Sequence, residues 1–216
     1  MKAWNRDVLR LYLVTDNVLS RGRPLVEIVR AAVEGGVTCV QLREKELSTR
    51  DFLAQALLLM QMLKAYQVPL VINDRIDVAL GCGAQGVHLG QSDMPVLEAR
   101  RLLPPETFIG WSVENLDEVA QAAALPVDYL GVSPVFSTPT KTDTNTPWGL
   151  EGLRLVRARS LLPLVAIGGL HEGNARAVLQ AGADGLAVVS AVCAAQDPGA
   201  AAARLRALCD AERNSY

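Results

Sequence analysis

Short apolar, β-branched runs recur along the chain, and the stretches between them carry apolar residues at helical spacing. The runs predict strands near Leu11–Val14, Val37–Leu42, Leu70–Ile72, Gly86–Leu89, Phe108–Ser112, Tyr129–Val132, Leu164–Ile167 and Gly185–Val189. Helices are expected over Pro24–Glu34, Thr49–Tyr66, Arg75–Gly81, Pro95–Leu102, Leu116–Ala124, Leu150–Arg159, Asn174–Ala181 and Gly199–Arg213. Ser48 is placed to cap the second helix, with Asp51 in its first turn to favour the N-terminal dipole. Gly35-Gly36, Gly81 and Gly182 stand where helix C-caps favour residues tolerant of positive φ.

Runs such as Pro69-Leu-Val-Ile72 and Pro163-Leu-Val-Ala-Ile167 are apolar throughout, as suits a parallel sheet buried on both faces. A weak repeat joins Glu34-Gly-Gly-Val-Thr-Cys-Val40, Gly81-Cys-Gly-Ala-Gln-Gly-Val87 and Ala181-Gly-Ala-Asp-Gly-Leu186 in one helix–glycine–strand grammar. Eight alternations give units of roughly 27 residues, the size of a compact βα unit. An α/β fold with a single closed (β/α)8 TIM barrel over residues 1–216 is the simplest architecture; a doubly wound sheet is the alternative. No linker divides the chain.

Composition narrows the function classes. Half of the 216 residues are hydrophobic and 20% are charged, enough apolar material for one large core. With 21 Lys and Arg against 23 Asp and Glu, the chain lacks the basic surplus that a nucleic-acid binder needs. No apolar stretch approaches the ~18 residues of a membrane span, and no secretory signal opens the sequence, so a cytoplasmic protein without a membrane partner is expected. The four cysteines form no CxxC pair, and His88 and His171 are the only histidines, which sets aside thiol and His-rich metal sites.

A barrel demands catalytic groups at the C-terminal strand ends. In Val40-Gln-Leu-Arg-Glu-Lys45, alternation puts Gln41, Arg43 and Lys45 on one face and Val40, Leu42 and Glu44 on the other. The second set suits helix packing, so the first points toward the axis. Two inward cations require anionic company, either protein carboxylates or a bound anion such as diphosphate. Asp74 and Asp93 follow neighbouring strands at equivalent depth. Each alone reads as a helix N-cap, but together beside Arg43 and Lys45 they favour Mg²⁺, which takes a few carboxylates plus phosphate oxygens and water. The long loop Ser137–Pro147 is rich in hydroxyls and carries Lys141, as a phosphate-capturing lid would. Gly168-Gly169 and Ser190 end the last two strands, where such barrels often hold phosphate. His88 reads as a hydrogen-bonded core residue, and Ser112 has no histidine base near it in sequence.

In these stretches the chain resembles the thiamine phosphate synthase family. The matching segments are Gln41-Leu-Arg-Glu-Lys45, Ile72-Asn-Asp74, Gly86-Val-His-Leu-Gly-Gln-Ser-Asp93, Thr138-Pro-Thr-Lys-Thr142, Gly149-Leu-Glu-Gly152, Ala166-Ile-Gly-Gly169 and Ala187-Val-Val-Ser190. The resemblance implies a transferase that joins an aminopyrimidine-methyl diphosphate to a (carboxylated) thiazole ethyl phosphate, giving thiamine phosphate and releasing diphosphate and, from the carboxylated thiazole, CO₂. It implies that Gln41, Leu42, Arg43, Glu44, Lys45, Asn73, Ser112 and Lys141 hold the pyrimidine diphosphate. Of these, Lys141, Ser112, Arg43 and Lys45 would be the catalytic groups. Thr138, Pro139, Thr140, Gly169, Val189 and Ser190 would receive the thiazole phosphate, and Asp74 and Asp93 would ligate Mg²⁺. Ser133, Ser137, Trp111 and Trp148 depart from the family pattern, and the two tryptophans are expected to bear on the pocket. The alternatives are a thiazole tautomerase or a non-catalytic thiazole-phosphate-binding regulator on the same barrel. Partners are then small phosphorylated molecules, with a homo-oligomer compatible with the fold.

Overall fold

In the computed structural model, residues 5–138 and 146–213 are described, without the side chain of Arg213. Eight parallel strands close one barrel in chain order: β1 (Leu11–Val14), β2 (Cys39–Leu42), β3 (Leu70–Asn73), β4 (Gly86–Leu89), β5 (Phe108–Val113), β6 (Tyr129–Val132), β7 (Leu164–Ile167) and β8 (Gly185–Val188). Pairing of β1 with both β2 and β8 completes the ring and rules out the doubly wound alternative. The helices between strands are α1 (Leu25–Glu34), α2 (Thr49–Lys64), α3 (Ile76–Cys82), α4 (Val96–Leu102), α5 (Leu116–Ala122), α6 (Gly149–Arg159) and α7 (Glu172–Gln180). After β8 come α8 (Ser190–Cys193), which periodicity misses because four residues carry no period, and α9 (Pro198–Arg213). Among the described residues, no helix is long and apolar enough to cross a membrane.

Alternation along each strand builds two apolar layers. Outward residues such as Val40, Leu42, Ile72, Val87, Ile109, Trp111 and Leu164 pack beneath the helices. Inward residues Tyr12, Val14, Cys39, Val71, Phe108, Tyr129, Val165 and Ala187 fill the barrel itself, and Leu9, from a 3₁₀ turn at Arg6–Leu9, plugs its N-terminal end. The plug sits so close that a Cβ on Gly185 would lie 1.9 Å from the Leu9 carbonyl oxygen.

Local signals are obeyed with one shift. Ser48 Oγ accepts from the Asp51 amide at 3.2 Å, so Ser48→Ala should cost about 1 kcal/mol in denaturant unfolding with an unchanged m-value. Gly81 does not end α3 but lies within it, where its missing side chain admits Leu53 of α2; Gly83, at φ 68°, makes the left-handed cap instead. Gly36 and Gly182 take positive φ as expected, while Gly35 stays right-handed against the Gly199 carbonyl.

Candidate active site

The C-terminal strand ends open into a cavity of about 330 Å³. Its wall includes Gln41, Arg43, Lys45, Asn73, Asp74, Asp93, Ser112, Thr138, Gly169, Val189 and Ser190. Chain alternation explains the first three. Gln41 is buried, and Arg43 and Lys45 continue its inward face beyond the strand end. Leu42 and Glu44 do not line the cavity. Leu42 is fully buried in the outer layer, and Glu44 accepts from Asn17 Nδ2 at 2.6 Å. Burial first, and then Asp16 beside it, raise the Glu44 carboxyl above its usual range. Pro139, Thr140 and Lys141 lie outside the described residues.

The two inward cations find different company. Lys45 Nζ donates to Asp74 Oδ2 at 2.6 Å. Among the described residues, the Arg43 guanidinium makes no hydrogen bond or ion pair, and only its backbone amide bonds, to Thr15 Oγ1 at 3.1 Å. Its charge is felt by the neighbouring Glu44 carboxyl, but with no hydrogen bond there its donors on the cavity wall remain open to an anion.

Asp74 is not a helix cap. Arg75 occupies that position without a side-chain cap bond, and Asp74 itself adopts φ 63°, a left-handed conformation that costs energy for a side chain other than Gly, Asn or Asp. The amide of Asp74 is anchored to the His88 carbonyl at 2.9 Å. The twist places Asp74 in the cavity with Asp93. Burial first, and then the neighbouring Asp74 carboxyl, push Asp93 above the usual carboxylate range, against the pull of the Gly90 amide at 2.6 Å and of Lys45. A half-buried carboxylate pair of this kind attracts a cation. Among the described residues no group of three or more His, Cys, Asp or Glu forms a metal cage, so the donor set fits a hard ion completed by ligand oxygens and water, as Mg²⁺ is.

On the opposite wall, Gly168 (φ 103°) and Gly169 (φ 65°) pass against Pro134 and Phe136, where a Cβ would come within 2.7 and 2.9 Å. Close packing of the β6 and β7 loops, together with left-handed backbone, therefore dictates both glycines. Ser133 is buried on the cavity wall. Neither tryptophan lines it: Trp111 belongs to the outer layer, and Trp148 donates to the Val113 carbonyl at 3.4 Å at the start of α6.

The sequence reading is corrected at Ser112. His88 Nε2 lies 2.9 Å from Ser112 Oγ, so a histidine does reach the serine. Its other nitrogen meets the Tyr129 hydroxyl at 2.9 Å, not a carboxylate, so no Ser/His/Asp triad forms. Tyr12, Tyr129, His88, Gln91 and Glu114 line the cavity and went unnoticed as site residues. Inward alternation from Gln41 and Ser112 was the signal for the first three. The cysteines are free and buried; burial raises Cys193 to about 11 and Cys209 to about 12, which leaves no thiolate nucleophile. A second cavity, of about 380 Å³, lies at the N-terminal strand ends among Arg6, Arg10, Arg157, Asp184 and Glu212. There Arg10 pairs with Asp210 and Arg157 with Asp184, a structural network remote from the catalytic face.

A closed barrel that gathers cations and a carboxylate pair at its C-terminal mouth defines the class: a (β/α)8 barrel with a charged cavity on the face where such barrels carry their active sites. Residues 11–192 match the family described as thiamine monophosphate synthase. The chain is 74% identical over 203 residues to the thiamine-phosphate synthase of Albidiferax ferrireducens, covering 94% of this chain and 93% of that one. It is 53% identical to the thiamine-phosphate synthase of Chloroflexus aurantiacus, over 92% of each. Among solved structures, thiamine phosphate pyrophosphorylase from Pyrococcus furiosus superposes with a TM-score of 0.88 at 41% identity, covering 96% and 98%. A 3-hexulose-6-phosphate synthase, with a TM-score of 0.66 and 19% identity, shares the fold alone. The chain belongs to the thiamine monophosphate synthase family, transferases of thiamine biosynthesis.

Proposed function

We propose that this cavity joins an aminopyrimidine-methyl diphosphate to a (carboxylated) thiazole ethyl phosphate, giving thiamine phosphate and diphosphate, with CO₂ from the carboxylated thiazole. The observation that carries the reading is one cavity shared by the Arg43 and Lys45 cations and the Asp74–Asp93 pair. Gln41, Asn73 and Ser112 hold the pyrimidine, and Arg43 and Lys45 meet its diphosphate, a role in which the sequence also casts Lys141. Thr138, Pro139, Thr140, Gly169, Val189 and Ser190 receive the thiazole phosphate. Asp74 and Asp93 hold Mg²⁺, which supplies charge neutralisation for the leaving diphosphate when bound.

The C–O bond to diphosphate breaks with its electron pair leaving on the diphosphate, and the thiazole nitrogen lone pair forms the new C–N bond. The electron-rich aminopyrimidine carries the positive charge in between. With the carboxylated thiazole the C–CO₂ bond then breaks, its electron pair passes into the ring system, and one proton from solvent balances the loss of the carboxyl group. None of these steps removes a proton from substrate, so positioning and charge neutralisation suffice and no general base is required. As a biosynthetic enzyme the protein is placed in the cytoplasm, with small phosphorylated molecules as its partners.

The test supplies purified full-length protein with both phosphorylated half-substrates and Mg²⁺, and reads thiamine phosphate as fluorescent thiochrome. Product formation that EDTA abolishes and excess Mg²⁺ restores is the expected result. Binding of the thiazole phosphate by calorimetry without product would overturn the synthase reading in favour of a tautomerase or regulator.

A further inference from the structure

Five polar side chains from five strands cross the cavity floor in one unbroken line. Gln41 Nε2 donates to Tyr12 Oη at 3.0 Å, and Tyr12 Oη meets Tyr129 Oη at 2.9 Å. Tyr129 Oη meets His88 Nδ1 at 2.9 Å, and His88 Nε2 meets Ser112 Oγ at 2.9 Å. The barrel gives up side chains to make room. A Cβ on Gly110 would lie 2.1 Å from Tyr129 Cζ and 2.5 Å from His88 Nδ1, and one on Gly131 would lie 2.8 Å from His88 Cε1.

Packing alone does not ask for such a line. Phenylalanine at positions 12 and 129 would fill the same volume among Val71, Phe108 and Val165 without burying two hydroxyls. Burial pushes both phenols well above their usual range, so each keeps its proton. Protons along such a line can run in either direction, and the Gln41 amide, which donates to Tyr12, favours one. Continued in that sense, Tyr12 donates to Tyr129 and Tyr129 donates to His88 Nδ1, at distances that serve either donor. That sense leaves the imidazole proton on Nε2, where it is given to Ser112 Oγ. Ser112, accepting from behind, turns its own O–H into the cavity, while Gln41 keeps its carbonyl oxygen as an acceptor.

We propose that Tyr12, Tyr129 and His88 are positioning residues: a relay of fixed polarity that holds His88 as the Nε2–H tautomer and presents Ser112 as a donor to a ring nitrogen of the heteroaromatic substrate. The role of that ring rests on the function proposed above; the tautomer does not. The relay makes the site selective for a ring with a lone pair at Ser112, and an analogue with C–H in place of that nitrogen meets a donor with nothing to accept from it.

The experiment reads the tautomer directly by two-bond ¹H–¹⁵N correlation on ¹⁵N-labelled full-length protein. A His171→Asn variant, in which asparagine still suits the cap of α7, leaves His88 as the sole histidine signal. Protonated Nε2 with bare Nδ1 is expected; protonated Nδ1 overturns the relay. In parallel, Tyr129→Phe should raise KM for the pyrimidine diphosphate about tenfold, the loss of roughly one hydrogen bond, with KM for the thiazole phosphate unchanged. Tyr12→Phe should move the same constant in the same direction. Equal loss for both substrates, as a purely structural role would give, overturns the proposal. The tautomer is read without turnover, so a protein that makes no thiamine phosphate but shows Nε2–H refutes the functional reading and leaves the relay standing.

Discussion

Asp74→Asn is expected to lower turnover by about two to three orders of magnitude, the range seen when one group that stabilises developing charge is removed, and to leave the fold intact. The substitution separates the two duties of this residue. Its backbone holds φ 63°, a conformation that asparagine tolerates nearly as well as any side chain. The pair with Lys45 is partly exposed, 53% and 20% on the two side chains, so its loss costs no more than about 1 kcal/mol. For a chain of this size that is a shift in Tm of about 2–4 °C. Removing one carboxylate also relieves Asp93 of its like-charged neighbour, which partly offsets the loss. What disappears is half of the proposed Mg²⁺ donor set. The same variant should therefore need far more Mg²⁺ to reach half-maximal rate, and steady-state kinetics across a Mg²⁺ titration, beside a thermal melt, checks both halves. Wild-type turnover with a wild-type melt would remove Asp74 from the site.

Strand alternation made much of this site legible. Gln41, Arg43 and Lys45 share the inward face because side chains alternate, and the same rule sends Leu42 and Glu44 outward, whatever a family motif spanning all five suggests. The rule also turns Trp111 outward once Ser112 faces in. Asp74 was ambiguous for a physical reason. A carboxylate just before a helix is an N-cap when its φ is negative, and only the positive φ of the folded backbone swings it into the cavity. The floor of the cavity was illegible in a different way. Tyr12 and Tyr129 stand 117 residues apart and meet only because the barrel closes, and no local spacing announces a bond across its diameter. His88 was readable as a hydrogen-bonded residue, but its partners were fixed by Gly110 and Gly131, whose meaning lies in what they leave room for.

Those glycines give the largest expected effect on stability. Gly110→Ala should destabilise the protein by about 3 kcal/mol, at the upper end of the cost of overpacking, seen as a lower denaturant midpoint with an unchanged m-value. The new methyl would stand 2.1 Å from Tyr129 Cζ and 2.3 Å from its hydroxyl. Gly110 is paired with both His88 and Tyr129 across the strands, so the backbone has no direction in which to yield, and Tyr129 is fully buried with no solvent to swing into. The entropy that alanine removes from the unfolded chain, about 0.4–1 kcal/mol, offsets only part of the clash. Gly83→Ala is the comparison: its Cβ meets nothing within 4 Å, so only the strain of φ 68° is felt, about 1 kcal/mol. Adding Tyr129→Val to Gly110→Ala removes the ring the methyl collides with, and should return much of the stability while leaving His88 without its Nδ1 partner. A double variant that regains its denaturant midpoint yet keeps a raised KM for the pyrimidine diphosphate would separate the volume of Tyr129 from its hydroxyl. If the midpoint and KM recovered together, Gly110 would be serving packing alone.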